Sequence, residues 1–247
     1  MTSRKIMLTV LLSFLFIPSS LFAAGTGDDP NPTSDIPTEA QIAAAKAKEE
    51  MIRQYMQNKD SKKQITPMSL GEVRTLNVTP FKQETPYWCG PATVKQVLHF
   101  LNGTSQPQSY YASKLGTTTD GTDFSKVDDV LNSHQSVHTY TYRSFSSNEY
   151  STWVTAMILT IDWGVPAVLD LRISRDLLPN YTSTVEGHIL NTSGYDTSSY
   201  PNQTSYRLRV TDPYDQGNRG ATFGNKWYEM EKVWKANQAH FRKAIIW

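Results

Sequence analysis

The feature that most constrains this chain is a cysteine placed at the start of a predicted helix. Cys89 is followed by a glycine and then by Pro91. Proline is favoured in the first helical turn because its missing N–H would have no partner there. Residues 92–101 favour a helix, and Asn102-Gly103 provides a C-terminal stop. Unpaired N–H groups and the positive end of the helix dipole at this place both favour a thiolate.

Cys89 is also the only cysteine in the sequence. No internal disulfide and no zinc site built from several cysteines can therefore form. Two interpretations of the thiol are open. It can be a buried, inert side chain, as free cysteines often are. It can also be a nucleophile, and then the chain must supply a base, a group that orients the base, and an oxyanion donor. The polar and aromatic neighbours and the helix start favour the nucleophile.

The first 25 residues have the pattern of a secretory signal peptide. Arg4 and Lys5 precede an apolar run over residues 6–17, and a stretch of small residues follows at 23–25. The run is shorter than the roughly 20 residues that a transmembrane helix needs, and an uncleaved membrane anchor is the alternative. We therefore expect residues 1–25 to be removed. The mature protein is expected to be secreted, periplasmic or at the cell surface, with no stable membrane insertion.

Charge and length limit the other possibilities. The formal net charge is +1 and no basic block occurs, so nucleic acid is not an expected partner. Residues 26–70 are expected to be a linker with one helix over 38–58, which begins with a capping box between Thr38 and Gln41. Its apolar stripe is narrow, so we interpret this helix as a spacer. A pro-segment that covers the active-site groove is the alternative.

The compact domain is expected to span residues 71–247 and to change from helices to strands along the chain. Besides the helix at Cys89, helices are predicted at residues 107–114, 124–132, 148–163 and 226–238, and strands at 76–78, 137–142, 165–173, 187–195, 206–211 and 244–247. Helices first and strands later indicate an α+β fold. In such a fold an N-terminal helical half, including the cysteine helix, packs on a mostly antiparallel sheet.

Of the five histidines, His188 is the best candidate for the base. His99 lies ten residues along the helix from Cys89. At about 1.5 Å per residue this is roughly 15 Å, which is too far for proton transfer. His188 lies at the start of a predicted strand, after Gly187, which lets another group approach closely. The alternative is that His188 is a core histidine whose hydrogen bonds are satisfied.

A hairpin argument brings Asp212 to this histidine. The predicted strands 187–195 and 206–211 flank a segment rich in turn residues. If they pair antiparallel about a centre near Tyr200, His188 lies opposite Asp212. Cross-strand neighbours have Cβ atoms about 4.5–5.5 Å apart, so the carboxylate could hold the imidazole. Asp212 precedes a proline, and a role as a turn starter is the alternative.

Residues 83–93 (Gln-Glu-Thr-Pro-Tyr-Trp-Cys-Gly-Pro-Ala-Thr), with the later Gly-His and Asp-Pro pairs, resemble the papain-like cysteine peptidases. The similarity is greatest to the bacteriocin-processing (double-glycine leader) peptidase family and its secreted relatives. This resemblance implies a papain-like fold, with Cys89 as nucleophile, His188 as general acid and base, Asp212 as orienter and Gln83 as oxyanion donor.

One departure from the family limits what is carried over. Its best-known members are fused to membrane transporters and cut leaders at a double glycine. This chain has a predicted export signal and no transporter, so that substrate is not expected. We expect a secreted cysteine peptidase that cuts peptide or protein substrates by a Cys-His-Asp triad, through a thioester acyl-enzyme. The alternatives are an amidase or acyltransferase on the same triad, or a non-catalytic peptide-binding module, which predicts a buried and unreactive Cys89.

Tyr87, Trp88 and Gly187 are the expected substrate-binding residues, although core packing is an equal alternative for the two rings. No cofactor and no metal are expected. Asp212 offers oxygen ligands together with Asp215 and Asn218, but these residues lack the pattern of a calcium loop.

Overall fold

The computed structural model describes residue 29, residues 33–60 and residues 70–247. The helices are α1 (Glu39–Asp60), α2 (Cys89–Asn102), α3 (Gln108–Leu115), α4 (Val127–His134), α5 (Tyr150–Asp162) and α6 (Met230–Ala239). The strands are β1 (Val73–Thr75), β2 (Tyr142–Ser144), β3 (Val168–Ile173), β4 (Val185–Asp196), β5 (Arg207–Asp212), β6 (Gly224–Glu229) and β7 (Ala244–Ile246). The predicted signal peptide lies outside the described residues. Within the described part of the chain, no helix is both long and apolar enough to cross a membrane.

One sheet of seven strands forms the centre of the molecule. Its order is β2-β7-β3-β4-β5-β6, and β1 pairs with the far end of β4. The paired strands run antiparallel. The early helices α2, α3 and α4 precede most of these strands in the chain. The prediction of an α+β fold with a helical first half and a mostly antiparallel sheet is therefore confirmed.

Two apolar clusters hold the helices and the sheet together. In one cluster, α2 packs its buried face on β4, and Val97 and Leu98 of α2 belong to the same cluster as Val168 of β3 and Ile189 of β4. In the other, α5 and α6 pack around β3, β4 and β5, with the fully buried ring of Trp153 at their contact. Burying apolar surface contributes about 25 cal/mol per Å². These clusters therefore supply the main force that fixes α2 on β4, the strand that carries His188.

Local stop signals fix the helix ends as predicted. Gly103 ends α2 and Gly116 ends α3, both with a positive φ that glycine adopts without steric cost. At the start of α1, the Thr38 backbone N–H donates to Gln41 Oε1 (2.8 Å) and the Gln41 N–H donates to Thr38 Oγ1 (3.3 Å). The predicted capping box is confirmed.

Three segments differ from their predictions. The strand expected at 76–78 lies three residues earlier, as β1. Residues 76–78 form a tight turn instead, in which the Val78 N–H donates to the Leu76 carbonyl. Most of the strand expected at 137–142 is irregular. Side chains satisfy its backbone there: Gln135 Oε1 accepts the N–H groups of residues 137 and 138, and Asn132 Oδ1 accepts that of residue 140. The helix expected at 226–238 is divided into β6 and α6.

The helix that we interpreted as a spacer is packed on the domain. Ile52 belongs to the main apolar cluster. Gln41 Nε2 donates to Asp128 Oδ2 at 2.9 Å. Lys48, which is 4% exposed, donates to the carbonyls of Thr139 (2.8 Å) and Trp247. Burial lowers the pKa of Lys48 to about 7, against the opposing effect of Asp128. α1 is therefore held by buried polar contacts as well as by Ile52, so a narrow apolar stripe is enough to fix it on the domain.

Candidate active site

Cys89 is the first residue of α2, as the sequence predicts, and its side chain is fully buried. The helix start is held closely against a neighbouring loop at Gly90. A Cβ atom on this glycine would lie 2.5 Å from Thr122 Oγ1, well inside contact distance. Gly90 therefore allows the loop at Thr122 to approach the turn that carries the thiol. In the next turn, Thr93 Oγ1 donates to the Ile189 carbonyl at 3.0 Å, which joins α2 to the residue after His188.

His188 and Asp212 are brought together in the interior. The His188 Nε2 and the Asp212 Oδ1 are 2.8 Å apart, and both side chains are fully buried. His188 lies on β4 and Asp212 is the last residue of β5. The pair therefore bridges two adjacent strands of the sheet, as the hairpin argument predicts.

The register by which the two residues meet differs from the prediction. β4 and β5 pair as Asn191 with Thr211, so Asp212 faces residue 190 and lies diagonally from His188. The predicted register, with His188 directly opposite Asp212, is wrong by two residues. A β-bulge between Thr192 and Gly194 shifts the pairing further along the hairpin. Because side chains alternate with a period of two, a shift of two residues keeps both side chains on the same face. The predicted contact between His188 and Asp212 is therefore correct, although the predicted register is not.

Two further groups hold the Asp212 carboxylate. The Tyr181 hydroxyl donates to Asp212 Oδ2. The Tyr214 backbone N–H donates to Asp212 Oδ1 at 2.8 Å. Sequence reasoning missed both. The second contact is the local turn that an Asp before proline commonly makes, so the Asp-Pro signal could have predicted it. Tyr181 lies in the connection between β3 and β4, and no local pattern marks it.

The electrostatics of the pair favour a charged imidazole. Burial alone lowers the pKa of His188. The Asp212 carboxylate opposes this effect through charge and hydrogen bonding, and Cys89 adds to it in the same way, so that the pKa rises to about 9. His188 is therefore protonated at neutral pH.

Gln83 lies beside this group, but its side-chain amide is directed to its own loop. The backbone N–H of Gln83 donates to the Pro213 carbonyl at 2.9 Å, which ties its loop to the residue after Asp212. Its Nε2 donates to the Thr85 carbonyl at 2.9 Å. The assignment of Gln83 as an oxyanion donor therefore stays a prediction.

The three expected substrate-binding residues flank the site in sequence and differ in exposure. Tyr87 and Trp88 are half-buried, and Trp88 is the residue before the first turn of α2. Gly187 is buried directly before His188. Their contact with a substrate stays a prediction.

The possible oxygen ligands are engaged elsewhere. Lys82 Nζ lies 3.1 Å from Asp215 Oδ2 and 2.8 Å from Asn218 Oδ1, while Asp212 holds His188 and Tyr181. Among the residues that the structure describes, no group of three or more His, Cys, Asp or Glu side chains could hold a metal ion.

A cysteine at the start of a helix, packed on an antiparallel sheet that carries a hydrogen-bonded histidine and aspartate, defines the class of papain-like cysteine peptidases. A family model described as "Peptidase_C39 like family" matches residues 75–240, and the chain belongs to this family. The family resemblance and the assignment as a cysteine peptidase are thereby confirmed.

Three solved structures are similar to this chain at low sequence identity. The peptidase domain of Streptococcus ComA, a bifunctional ABC transporter involved in a quorum-sensing pathway, is 15% identical, covers 69% of this chain and 97% of its own, and has a TM-score of 0.42. Xylellain, a cysteine protease from Xylella fastidiosa, is 11% identical, covers 89% and 95%, and has a TM-score of 0.48. A recombinant stem bromelain precursor is 11% identical, covers 92% and 78%, and has a TM-score of 0.47. No curated protein sequence matches this chain.

Proposed function

We propose that this cysteine peptidase hydrolyses peptide bonds with a Cys89–His188–Asp212 triad, through a thioester acyl-enzyme. The observation that carries the proposal is the buried 2.8 Å contact between His188 and Asp212, next to the helix that begins at Cys89. The raised pKa of His188 supports it, because an imidazolium beside the thiol stabilises a thiolate at neutral pH.

The two ring nitrogens divide the work. Nε2 is engaged with Asp212, which leaves Nδ1 for the thiol and the leaving group. Nδ1 is buried and takes no other hydrogen bond from the residues that the structure describes. The thiolate attacks the carbonyl carbon, and His188 gives its proton to the departing amine as the C–N bond breaks. A water molecule then attacks the thioester, His188 takes its proton, and the C–S bond breaks to release the carboxylic acid and restore the thiolate beside the imidazolium.

The oxyanion needs donors at the helix start. The Cys89 backbone N–H is one, and the Gln83 amide is the second in this proposal. Gln83 Nε2 carries two N–H groups, of which one is used on the Thr85 carbonyl. The other is available to the oxyanion. Loss of one such donor costs about 2.7–4 kcal/mol of transition-state stabilisation.

The burial of Cys89 favours a second candidate. A non-catalytic peptide-binding module of the same fold predicts a buried, unreactive cysteine, and the thiol is fully buried. In a peptidase, the substrate must displace neighbouring side chains to reach it. The half-buried Tyr87 and Trp88, which directly precede Cys89, are the side chains that we expect to move. Reactivity of the thiol therefore separates the two candidates.

The test combines alkylation with substrate profiling. If Cys89 is the nucleophile, iodoacetamide at pH 6 should label it much faster than it labels a free thiol, because a neighbouring imidazolium activates a thiol. Digestion of a proteome should generate new peptide ends with the native protein and none with Cys89→Ala. His188→Ala should abolish the cleavage, whereas His99→Ala, at a histidine on the same helix as the thiol but outside the site, should keep it. Slow labelling together with an unchanged digest for Cys89→Ala would establish the binding module instead.

Export is also part of the proposal. The pattern at residues 1–25 supports cleavage near residue 25 and a location outside the cytoplasm. Mass spectrometry of the protein from its native host should find a mature N-terminus near this position. A protein that retains Met1 in the cytoplasmic fraction would rule out this assignment.

A further inference from the structure

Tyr181 is a buried tyrosine that reaches the proposed triad from outside the motifs that define it. It lies in the connection between β3 and β4, where the chain turns as its N–H donates to the Leu178 carbonyl at 3.0 Å. The side chain is fully buried, and its hydroxyl donates to Asp212 Oδ2. Its ring centroid is 6.2 Å from that of His188. The tyrosine therefore contacts the carboxylate on the oxygen that His188 does not use.

The two oxygens of Asp212 have separate partners. Oδ1 lies 2.8 Å from His188 Nε2 and accepts the Tyr214 N–H, and Oδ2 accepts the Tyr181 hydroxyl. A carboxylate held at one oxygen can rotate about its Cβ–Cγ bond, whereas one held at both oxygens cannot. The Tyr181 hydroxyl is thus the contact that fixes the plane of the carboxylate.

We propose that Tyr181 is a positioning residue of the peptidase, whose hydroxyl fixes the Asp212 carboxylate and thereby the orientation of the His188 ring. This proposal rests on the proposed triad. Tyr181 does not reach the substrate in it; it acts through Asp212.

The hydroxyl remains a donor under all working conditions. Burial raises the pKa of Tyr181 well above its usual value, and the Asp212 charge and hydrogen bond raise it further. Tyr228 and Tyr214 also face the hydroxyl and act in the same direction. A tyrosine that cannot ionise keeps its proton directed at the carboxylate.

The loop that carries Tyr181 is fastened to the loop that follows Asp212. Gln216 Oε1 accepts the backbone N–H groups of Thr182 (2.6 Å) and Ser183 (3.3 Å), and Gln216 Nε2 donates to Ser183 Oγ at 2.7 Å. These bonds hold the two loops in a fixed relation. The same hydrogen bonds of Gln216 therefore position both the Tyr181 hydroxyl and the Asp212 carboxylate. Such supporting contacts hold a site in its working geometry before substrate binds.

The test is Tyr181→Phe, and the chain offers a matched control. Tyr195 is also fully buried, and its hydroxyl also donates to a carboxylate, Asp162 Oδ1, at 2.7 Å. It lies at the opposite end of β4 from His188. Tyr195→Phe removes the same kind of hydrogen bond away from the site. The two variants should lose similar thermal stability, and they should differ in catalysis.

For Tyr181→Phe we expect kcat to fall by about 10-fold or more, the equivalent of a hydrogen bond to a charged group. KM should stay within about 2-fold, because no substrate contact is lost. The alkaline limb of the kcat profile should move to lower pH by about half a unit or more, since a mobile carboxylate holds the imidazole proton less firmly while burial persists. Tyr195→Phe should leave all three quantities unchanged.

Several outcomes would overturn the proposal. They are equal kcat values for the two variants, an alkaline limb that stays in place or rises, and a Tyr181→Phe protein that is unfolded where Tyr195→Phe is folded. NMR titration of the His188 imidazole gives a readout that needs no turnover, and its midpoint should fall in Tyr181→Phe alone. A native protein without peptidase activity would refute the proposed function, while this titration would still decide the role of Tyr181.

Discussion

Asp212→Asn should remove a pH-dependent part of the stability of this protein. The side chain keeps its shape, but one of its two acceptor oxygens becomes an NH2 group that donates, and it loses the charge that opposes burial at His188. The changed hydrogen bond costs stability at every pH, whereas the lost charge changes the pH dependence. The pKa of His188 is raised from 6.5 to about 9 in the native protein. At about 1.4 kcal/mol for each pKa unit, the folded state gains roughly 3 kcal/mol from this group.

The sign of the effect follows from the direction of the shift. A histidine with a raised pKa in the folded state contributes its full stabilisation below pH 6.5, and the contribution disappears as the pH rises through about 9. In Asp212→Asn the buried imidazole loses the largest effect that raises its pKa, and only the effect of Cys89 remains against burial. The difference in unfolding free energy between the native protein and the variant should therefore be larger at pH 6 than at pH 9.5 by roughly 3 kcal/mol.

Urea denaturation followed by fluorescence of the six tryptophans measures this difference across the pH range. Lys48 has a pKa lowered to about 7, and its contribution grows with pH, but it is present in both proteins and cancels from the difference. Repeating the pair in a Cys89→Ala background separates the effect of Asp212 from that of Cys89, which also raises the pKa of His188. A difference that is constant within about 0.5 kcal/mol from pH 6 to 9.5 would refute the linkage between Asp212 and His188.

Two further predictions concern packing and charge. Gly90→Ala should destabilise the fold by about 1–3 kcal/mol, because its Cβ would lie 2.5 Å from Thr122 Oγ1 and 2.8 Å from Thr122 Cβ. Urea denaturation should show part of this loss relieved by Thr122→Gly, which removes both atoms, and strict additivity of the two substitutions would contradict the contact. Arg242→Met should cost about 3 kcal/mol or more, because it leaves the buried Asp123 without a cation 2.6 Å away. Lys232→Met, which removes a surface pair, should cost less than about 1 kcal/mol, and equal losses would contradict this reasoning.

The parts of the fold that follow from local chemistry could be predicted. The helix at Cys89 ends at Gly103, which adopts a positive φ. This end could be predicted because the preference of glycine for that position depends only on the neighbouring residues. The His188–Asp212 contact was also accessible, because the face of a strand is fixed by alternation even when the register is wrong by two residues. The bulge at residues 192–194 that shifts this register lies where β1 closely approaches β4. A Cβ on Gly194 would lie 2.5 Å from the Arg74 carbonyl, and no pattern within the hairpin records that contact.

The parts that depend on distant polar contacts could not be predicted. α1 has a thin apolar stripe, and what holds it is a lysine that donates to the carbonyls of Thr139 and Trp247. Residues 137–140 have the composition of a strand, but the side chains of Gln135 and Asn132 accept the backbone N–H groups of residues 137, 138 and 140 instead of a neighbouring strand. Tyr181 belongs to the same group, because its role arises only when two loops are fastened together. Which buried polar groups pair depends on the tertiary structure, so these pairs cannot be predicted from the hydrophobic periodicity of the sequence.

The position of β7 sets the order in which this chain can fold. Residues 244–246 lie between β2 and β3 and pair with both strands. A growing polypeptide that stops short of residue 244 leaves β2 separated from β3, with the facing edges of both strands unpaired and the apolar faces around them exposed. The nascent chain must therefore stay incomplete, and dependent on protection from aggregation, until this segment has left the ribosome.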